Sequence, residues 1–587
     1  MRTATFTEVI RKPPATEPRY GASEFPSFSV LCPAIENLAD GNGQEARGAV
    51  FTRREIVDFI LDLTGYTANV PIYRRRILEP SFGQGSFLFP ILDRLLTVWR
   101  RDGGDIRNAV NDLSDAIRGV EIHRATYEQT FTAVKERLEM EGVAPDAASI
   151  LVYRWLRQGD FLLEQLDGSF DFVVGNPPYV RQERILAPLL NEYRRRYRTL
   201  YDRADLYIPF FERSLSLLAE HGTLGFICAD RWMKNRYGGL LRKFISDGFH
   251  VRAVVDMADA EAFCSDVSAY PAVVVITRSQ QESATRIAHC RMIEGETLSR
   301  LSDDLRASLL PAHSSVTEVS VMSSGAAPWL LTTPSRVRLI RRLEEQFPTL
   351  EEAGCKIGIG VATGADSVFI GNYAALDVEP DRKLPLVMTN DIKTGSICWQ
   401  GQGVVNPFEE NGSLVSLSDY PRMAAYLCAH KSHLSRRHCA RTDTARWYKT
   451  IDRISPALTY RPKLLIPDIK GEANAVLDDG RFYPHHNLYY IISDDWDLRA
   501  LQAVLKSPIT LTFIETYSTR MRGGYLRFQA QYLRRLRLPL WRNVPDNLRR
   551  DLCQSHRGQD VEDAVCALYQ LIRDERDVLF AHNERNS

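Results

Sequence analysis

Apolar residues in the first half of the chain follow two alternating patterns. Between about Gly48 and Arg278, short apolar runs take turns with amphipathic stretches. REIVDFILDLTG (54–65) carries its apolar residues at helical spacing and stops at a glycine, a common helix end. FLFPILDRLLTVWRR (87–101), ATYEQTFTAVKERLEMEG (125–142), LYIPFFERSLSLLAEHG (206–222) and GGLLRKFISDG (238–248) predict further helices. RRILEPSFGQG (75–85) predicts a short strand running into a glycine turn. AIRGVEIH (116–123), FDFVVGN (170–176), TLGFICA (223–229), VRAVVDM (251–257) and AYPAVVVITR (269–278) predict strands. Strands alternating with helices imply crossover units. The expected fold class is therefore α/β, a mostly parallel twisted sheet with helices on both faces. Ligands of such sheets sit beyond the carboxyl ends of the strands.

After about residue 280 the segments shorten and turn residues increase, as in VLDDGRFYPHHN (476–487). A mixed α/β region is expected there, ending in an amphipathic helix at VEDAVCALYQLIRDERDVLF (561–580). The expected division is a loosely ordered leader at 1–47, a first domain at 48–300, a second at 301–545 and a helical tail at 546–587.

Composition narrows the class. A chain of 587 residues is too long for one ordinary domain. Its 44% hydrophobic and 25% charged content suits a globular protein, and no apolar run has the length of a membrane span. The N-terminus lacks the apolar core of a secretory signal. The ten cysteines are scattered without a CxxC pair or zinc spacing, so free thiols, a reducing cytoplasm and no metal are expected. Net charge is zero, but NEYRRRYRTLYDR (191–203) and RMRGGYLRFQAQYLRRLRL (520–538) interleave arginine with aromatics. Such stretches can hold phosphates and stack on bases, although a solvated helix face has the same composition.

Candidate chemistry collects at successive strand ends. In LEPSFGQGSFL (78–88), Glu79 and Pro80 end a strand, and Gly83 and Gly85 allow a close ligand approach in the turn. The spacing is not GxGxxG and no phosphate-loop lysine follows, which suits a nucleoside without a phosphate chain. Glu121, followed by Ile122, ends the next strand, where a carboxylate can accept from two ribose hydroxyls. Asp160 can accept from an adenine amino group while Phe161 packs on the purine. A fourth strand ends in Asn176-Pro177-Pro178-Tyr179. The prolines fix two φ angles and stiffen the corner. An exocyclic amine is a poor nucleophile because its lone pair is delocalised into the ring. Two acceptors, the Asn176 side-chain oxygen and the Pro177 carbonyl, would draw the nitrogen towards tetrahedral geometry. Tyr179 offers a face for the base. This is catalysis by positioning and electrostatics.

These residues, in this order, resemble the γ-group of DNA adenine-N6 methyltransferases, the TaqI-type enzymes of restriction–modification systems. The resemblance implies an S-adenosylmethionine-dependent methyltransferase fold followed by a C-terminal target-recognition domain. GAVFTRREIVDFIL (48–61) is similar to the family's first cofactor motif, with Thr52 beside the methionine moiety. Glu79, Pro80, Gly83 and Gly85 match the cofactor loop, with Glu79 and Gly83 near the amino acid portion. Glu121, Ile122, Asp160 and Phe161 match the ribose and adenine positions, and Asn176 to Tyr179 match the catalytic tetrapeptide. AFCSDVSAYPAVVVITR (262–278) resembles the last motif, where an aromatic stacks on the other face of the extruded base. That aromatic is assigned to Phe263, with Tyr270 as its competitor. GIGVATGADSVFIG (358–371), RPKLLIPDI (461–469) and residues 518–539 are similar to the recognition region. Arg195, Arg520, Arg522, Tyr525 and Arg527 are the candidates for DNA contact.

The resemblance implies double-stranded DNA as substrate and a bacterial or archaeal, DNA-associated protein. The modification role implies a cognate restriction endonuclease encoded separately, and no membrane partner. The same corner would also suit RNA or protein glutamine. A bifunctional enzyme that also cuts DNA would need a further nuclease domain, and only about 45 residues precede the first motif.

Overall fold

The computed structural model describes residues 28–39, 51–258, 260–263, 270–279, 284–320, 322, 324–470, 474–518, 526–554 and 559–580. Nine strands make the first sheet: β1 Ile77–Glu79, β2 Ile117–Glu121, β3 Leu156–Gln158, β4 Phe170–Gly175, β5 Leu218–Ala229, β6 His250–Asp256, β7 Pro271–Thr277, β8 Thr285–His289 and β9 Thr317–Val319. Their order is β3-β2-β1-β4-β5-β7-β6-β8-β9. β3 through β5 run parallel, while β7 is antiparallel to both β5 and β6.

Successive strand residues point to opposite faces, and both faces are covered. Ile77, Val174, Val255, Val273 and Val275 join one buried cluster with the helices Arg54–Thr64 and Leu88–Arg101. Leu78, Val173, Val254, Val274 and Ile276 join another with the helices Tyr207–Ser216 and Gly239–Gly248. The first of these helices stops where the sequence predicts. Gly65 takes φ 88° and its N–H reaches the carbonyls of Leu61 and Asp62.

Three expectations change. The helix expected at 206–222 ends at Ser216, and the following residues open β5. Leu218 pairs with Phe170, and the pairing then shifts register before Thr223 meets Phe172. An irregular pairing of this kind leaves no alternating pattern to read. The leader expected to be loosely ordered contains the helix Phe28–Ala39. Ala34 is buried in the second cluster and Ile35 and Leu38 pack against it, which gives this helix an apolar anchor. Residues 1–27 and 40–47 lie outside the described residues. The boundary expected at residue 300 falls inside the helix Gly295–Arg306, and β9 extends the first sheet beyond it.

The second region contains two four-stranded sheets. One has the order β10-β18-β14-β16 and the other β11-β13-β12-β17. The first comprises β10 Cys355–Ile359, β14 Lys463–Pro467, β16 Val476–Asp478 and β18 Leu488–Ser493. The second comprises β11 Ile370–Asn372, β12 Lys383–Val387, β13 Gln402–Val405 and β17 Tyr483–Pro484. The tail is not separate. Leu552, Val565, Tyr569 and Leu579 share one core with Ile340, Leu464 and Ile491, and Arg342 pairs with Glu575 at 2.6 Å. The two regions touch where Lys234 Nζ donates to the Ser518 carbonyl at 2.7 Å. Among the described residues no helix is long and apolar enough to cross a membrane.

Candidate active site

The carboxyl ends of β1, β2, β3 and β4 open onto one cleft of about 220 Å3. Its walls include Thr52, Glu79, Pro80, Gly83, Glu121, Ile122, Asp160, Phe161 and Asn176, nine of the residues singled out from the sequence. Gly85, Pro177, Tyr179 and Phe263 are not among the described residues that wall it, whereas Pro178 is.

The turn after β1 is shaped by its glycines. Gly83 and Gly85 take φ values of 50° and 85°, in the region that disfavours other residues. A Cβ on Gly85 would stand 2.6 Å from the Phe89 ring. Phe82 N donates to the Val120 carbonyl at 3.1 Å and Thr130 Oγ1 to the Gly83 carbonyl at 2.8 Å, so β2 and the next helix hold the turn. Glu121 holds it too. Its carboxylate accepts from Gly83 N at 2.9 Å and from His123 N at 2.8 Å.

Three carboxyl groups converge on this cleft. Glu79 is 2% exposed, and burial pushes its pKa well up, with the Glu121 charge adding to the shift. Its Oε2 is buried without a hydrogen-bond partner among the described residues. Asp160 accepts from Leu162 N at 2.9 Å and from Tyr193 Oη at 2.6 Å. Burial raises the Asp160 pKa, against the opposing pull of the Tyr193 bond. Phe161 packs against Phe210, with ring centroids 5.0 Å apart, and Arg213 lies over its ring.

The corner after β4 is joined to the first motif through one side chain. Asn176 Nδ2 donates to Thr52 Oγ1 at 3.3 Å, and Ser81 Oγ donates to the Asn176 carbonyl. Thr52 forms an antiparallel bridge with Phe263, and Arg53 N donates to the Ala262 carbonyl at 3.2 Å. Residues remote in sequence thus meet at Thr52. Leu206 N donates to the Val180 carbonyl at 2.9 Å and ties the other end of the corner to the helix that follows.

Phe263 does meet Tyr179, but not as the second slice of a parallel sandwich. The ring centroids are 6.3 Å apart and the planes lie at 80°, so the contact is edge to face. The bridge to Thr52 fixes the backbone of Phe263 and brings its ring in from the side. Tyr179 also meets Tyr207 at 6.1 Å, and its Oη is buried without a hydrogen-bond partner among the described residues. The Tyr270 carbonyl accepts from Asp230 N at 3.0 Å, while residues 264–269 between the two competitors lie outside the described residues.

Of the candidates for DNA contact, Arg195 and Arg527 lie among the described residues. Arg195 pairs with Glu192 at 2.7 Å on the helix Ala187–Arg196, and Arg196 reaches the same carboxylate. These bonds, first that of Arg195, hold the Glu192 carboxyl down at about 2. Arg527 pairs with Asp468 at 2.6 Å. Arginine at these two positions therefore binds within the protein as well as facing outward. Arg520, Arg522 and Tyr525 lie outside the described residues. Sequence reasoning missed Tyr193, which holds Asp160, because its segment reads as an arginine-rich helix face.

Comparison with known proteins places these features in a family. A family model described as Eco57I restriction-modification methylase matches residues 98–263. One described as the TaqI-like C-terminal specificity domain matches residues 385–540. The type II methyltransferase M.PaeR7I of Pseudomonas aeruginosa is 57% identical, over 95% of this chain and 98% of its own length. The type II methyltransferase M.XhoI of Xanthomonas vasicola is 52% identical, over 90% of this chain and 97% of its own. Among solved structures, the type IIL restriction-modification enzyme MmeI in complex with DNA aligns with a TM-score of 0.56 at 11% identity. The alignment covers 95% of this chain and 77% of MmeI, which is a likeness of fold.

Proposed function

We infer that the base methylated by this protein is adenine, and the premise is its family: the chain belongs to the type II methyltransferases of restriction–modification systems. It is a DNA methyltransferase and its methyl donor is S-adenosylmethionine. The acceptor atom is N6 of an adenine extruded from duplex DNA.

The cleft suits the donor. The buried Oε2 of Glu79 lacks a partner among the described residues, and a cationic amino group is a ligand that such an oxygen can hold. Glu121 and Asp160 line the cleft with carboxylates, acceptors suited to ribose hydroxyls and an adenine amine respectively. Phe161 and Ile122 supply apolar walls. When bound, S-adenosylmethionine supplies an electrophilic sulfonium methyl.

The corner does the rest. Asn176 Oδ1 and the Pro177 carbonyl accept from the two amine hydrogens and localise the nitrogen lone pair. Thr52, bonded to Nδ2, orients the amide so that Oδ1 faces the opposite way. Asn suits this task because its oxygen accepts and does not titrate. Tyr179 stacks on the base and Phe263 closes the pocket from the edge. Asn176 at the cleft, held by Thr52 from the first motif, is the observation that carries the reading.

Full-length relatives are named as methyltransferases alone, which supports modification here with cleavage by a separately encoded endonuclease. The acceptor base is tested by digesting methylated duplex DNA to nucleosides and analysing them by mass spectrometry. N6-methyldeoxyadenosine is expected. Methylcytosine in its place would overturn the assignment.

A further inference from the structure

The second region holds a group of donor atoms that methyl transfer leaves unused. Asp366, His485 and His486 each offer one ligand atom, and these atoms lie within 4.8 Å of one another. His485 Nε2 is 3.5 Å from Asp366 Oδ2. In tetrahedral zinc sites with ligands at about 2.1 Å, neighbouring donor atoms stand roughly 3.4 Å apart.

His485 is 3% exposed. Its Nε2 and the Nδ1 of His486 are both buried with no hydrogen-bond partner among the described residues. Buried polar atoms are nearly always satisfied, so two such nitrogens beside one carboxylate need a common explanation. The backbone holds the pair in place. His485 N donates to the Val387 carbonyl, His486 N to the Val361 carbonyl, and Val361 N to the Pro484 carbonyl. Thr363 Oγ1 donates to Asp366 Oδ1, which leaves Oδ2 turned to the cluster. A ligating carboxylate is commonly oriented by such an outer partner. Asp366 is half exposed, which provides an entry path for an ion.

We propose that Asp366, His485 and His486 bind one zinc ion, which staples the first residue of the helix Asp366–Phe369 to the end of β17. Two imidazoles and one carboxylate favour zinc over calcium or magnesium. Three protein donors leave one position for water. The rival is a plain ion pair between Asp366 and a protonated His485. It accounts for Nε2 but leaves His486 Nδ1 unexplained. Asn487 N donates to His485 Nδ1 at 3.4 Å, a long bond that zinc at Nε2 would displace, because Nδ1 must then carry the ring proton. Spacing could not reveal this site, because Asp366 and the histidines come from segments far apart in the chain.

The test uses the full chain, stripped with chelator and titrated with cobalt(II) followed by zinc. One equivalent of cobalt with the absorption bands of a four-coordinate ion is expected, displaced by zinc, together with a zinc-dependent rise in Tm. Asp366→Asn and His486→Ala should each weaken uptake at least ~10-fold, as even outer-shell changes do at metal sites. Should His486→Ala fail to fold, the half-exposed Asp366→Asn carries the test alone. Uptake by the wild type no greater than by Asp366→Asn, or no rise in Tm with zinc, would overturn the proposal.

Discussion

Glu79 ends β1 with a buried carboxyl beside the Glu121 charge, and burial first, then that charge, raises its pKa. Its folded pKa stands above that of the unfolded chain. Its contribution to stability is therefore full below the ordinary carboxylate range and is lost as pH rises through the folded value. Glu79→Gln should flatten this loss, so that the free variant keeps more of its low-pH Tm at pH 8 than the wild type does. A cationic group beside Glu79 favours the ionised form. Donor binding should therefore release a proton and tighten as pH rises. Calorimetry in two buffers of unlike ionisation heat reads this directly, and no proton release would count against Glu79 as the amino-group ligand. Tyr179 makes a different demand. Its ring, not its buried hydroxyl, is asked to hold the base. Tyr179→Phe should keep the fluorescence change of a base analogue at the target, and Tyr179→Ala should lose it.

At the scale of elements, the turn after β1 and one buried pair can be tested by stability. Gly85→Ala places a side chain at φ 85° and against Phe89, at an expected cost of about 1–3 kcal/mol in chemical denaturation. Lys463 and Asp478 form a fully buried ion pair at 2.8 Å between β14 and β16, and Lys463 also donates to the carbonyls of Leu458, Thr459 and Arg461. Asp478→Ala leaves that charge unpaired and should cost about 3–5 kcal/mol by the same measurement. Elements were legible where one pattern held throughout. The helix Arg54–Thr64 announced itself by periodicity and Gly65, and β1, β2 and β4 by apolar runs ended with a polar residue. β5 was half lost because its first residues pair irregularly. The strand-end acids and the Asn176 corner were legible because topology puts strand ends together. Thr52 as the link to Phe263, and Tyr193 beneath Asp160, were not, since each contact joins elements whose spacing along the chain carries no signal.

Across the whole molecule, two regions enclose a cleft of about 400 Å3 walled by Tyr201, Arg236, Arg242, Tyr517 and Arg535. Arg242 is committed to the carbonyls of Asn235, Ala326 and Ala327, whereas Arg236 is exposed. Arg236→Ala should weaken DNA binding evenly across sequences and lower the slope of log affinity against log salt by about 1. A filter-binding series in salt would show it. DNA contacts were the least legible feature, because a run of arginines does not disclose which members pair internally, as Arg195 and Arg527 do. The central claim rests on Asn176, and single-turnover methyl transfer by Asn176→Ala on duplex DNA, with donor affinity measured in parallel, tests it most directly. The rate should fall by at least ~100-fold, the scale of losing one preorganised polar group, with donor affinity little changed. A variant that transfers methyl groups at the wild-type rate would contradict the account.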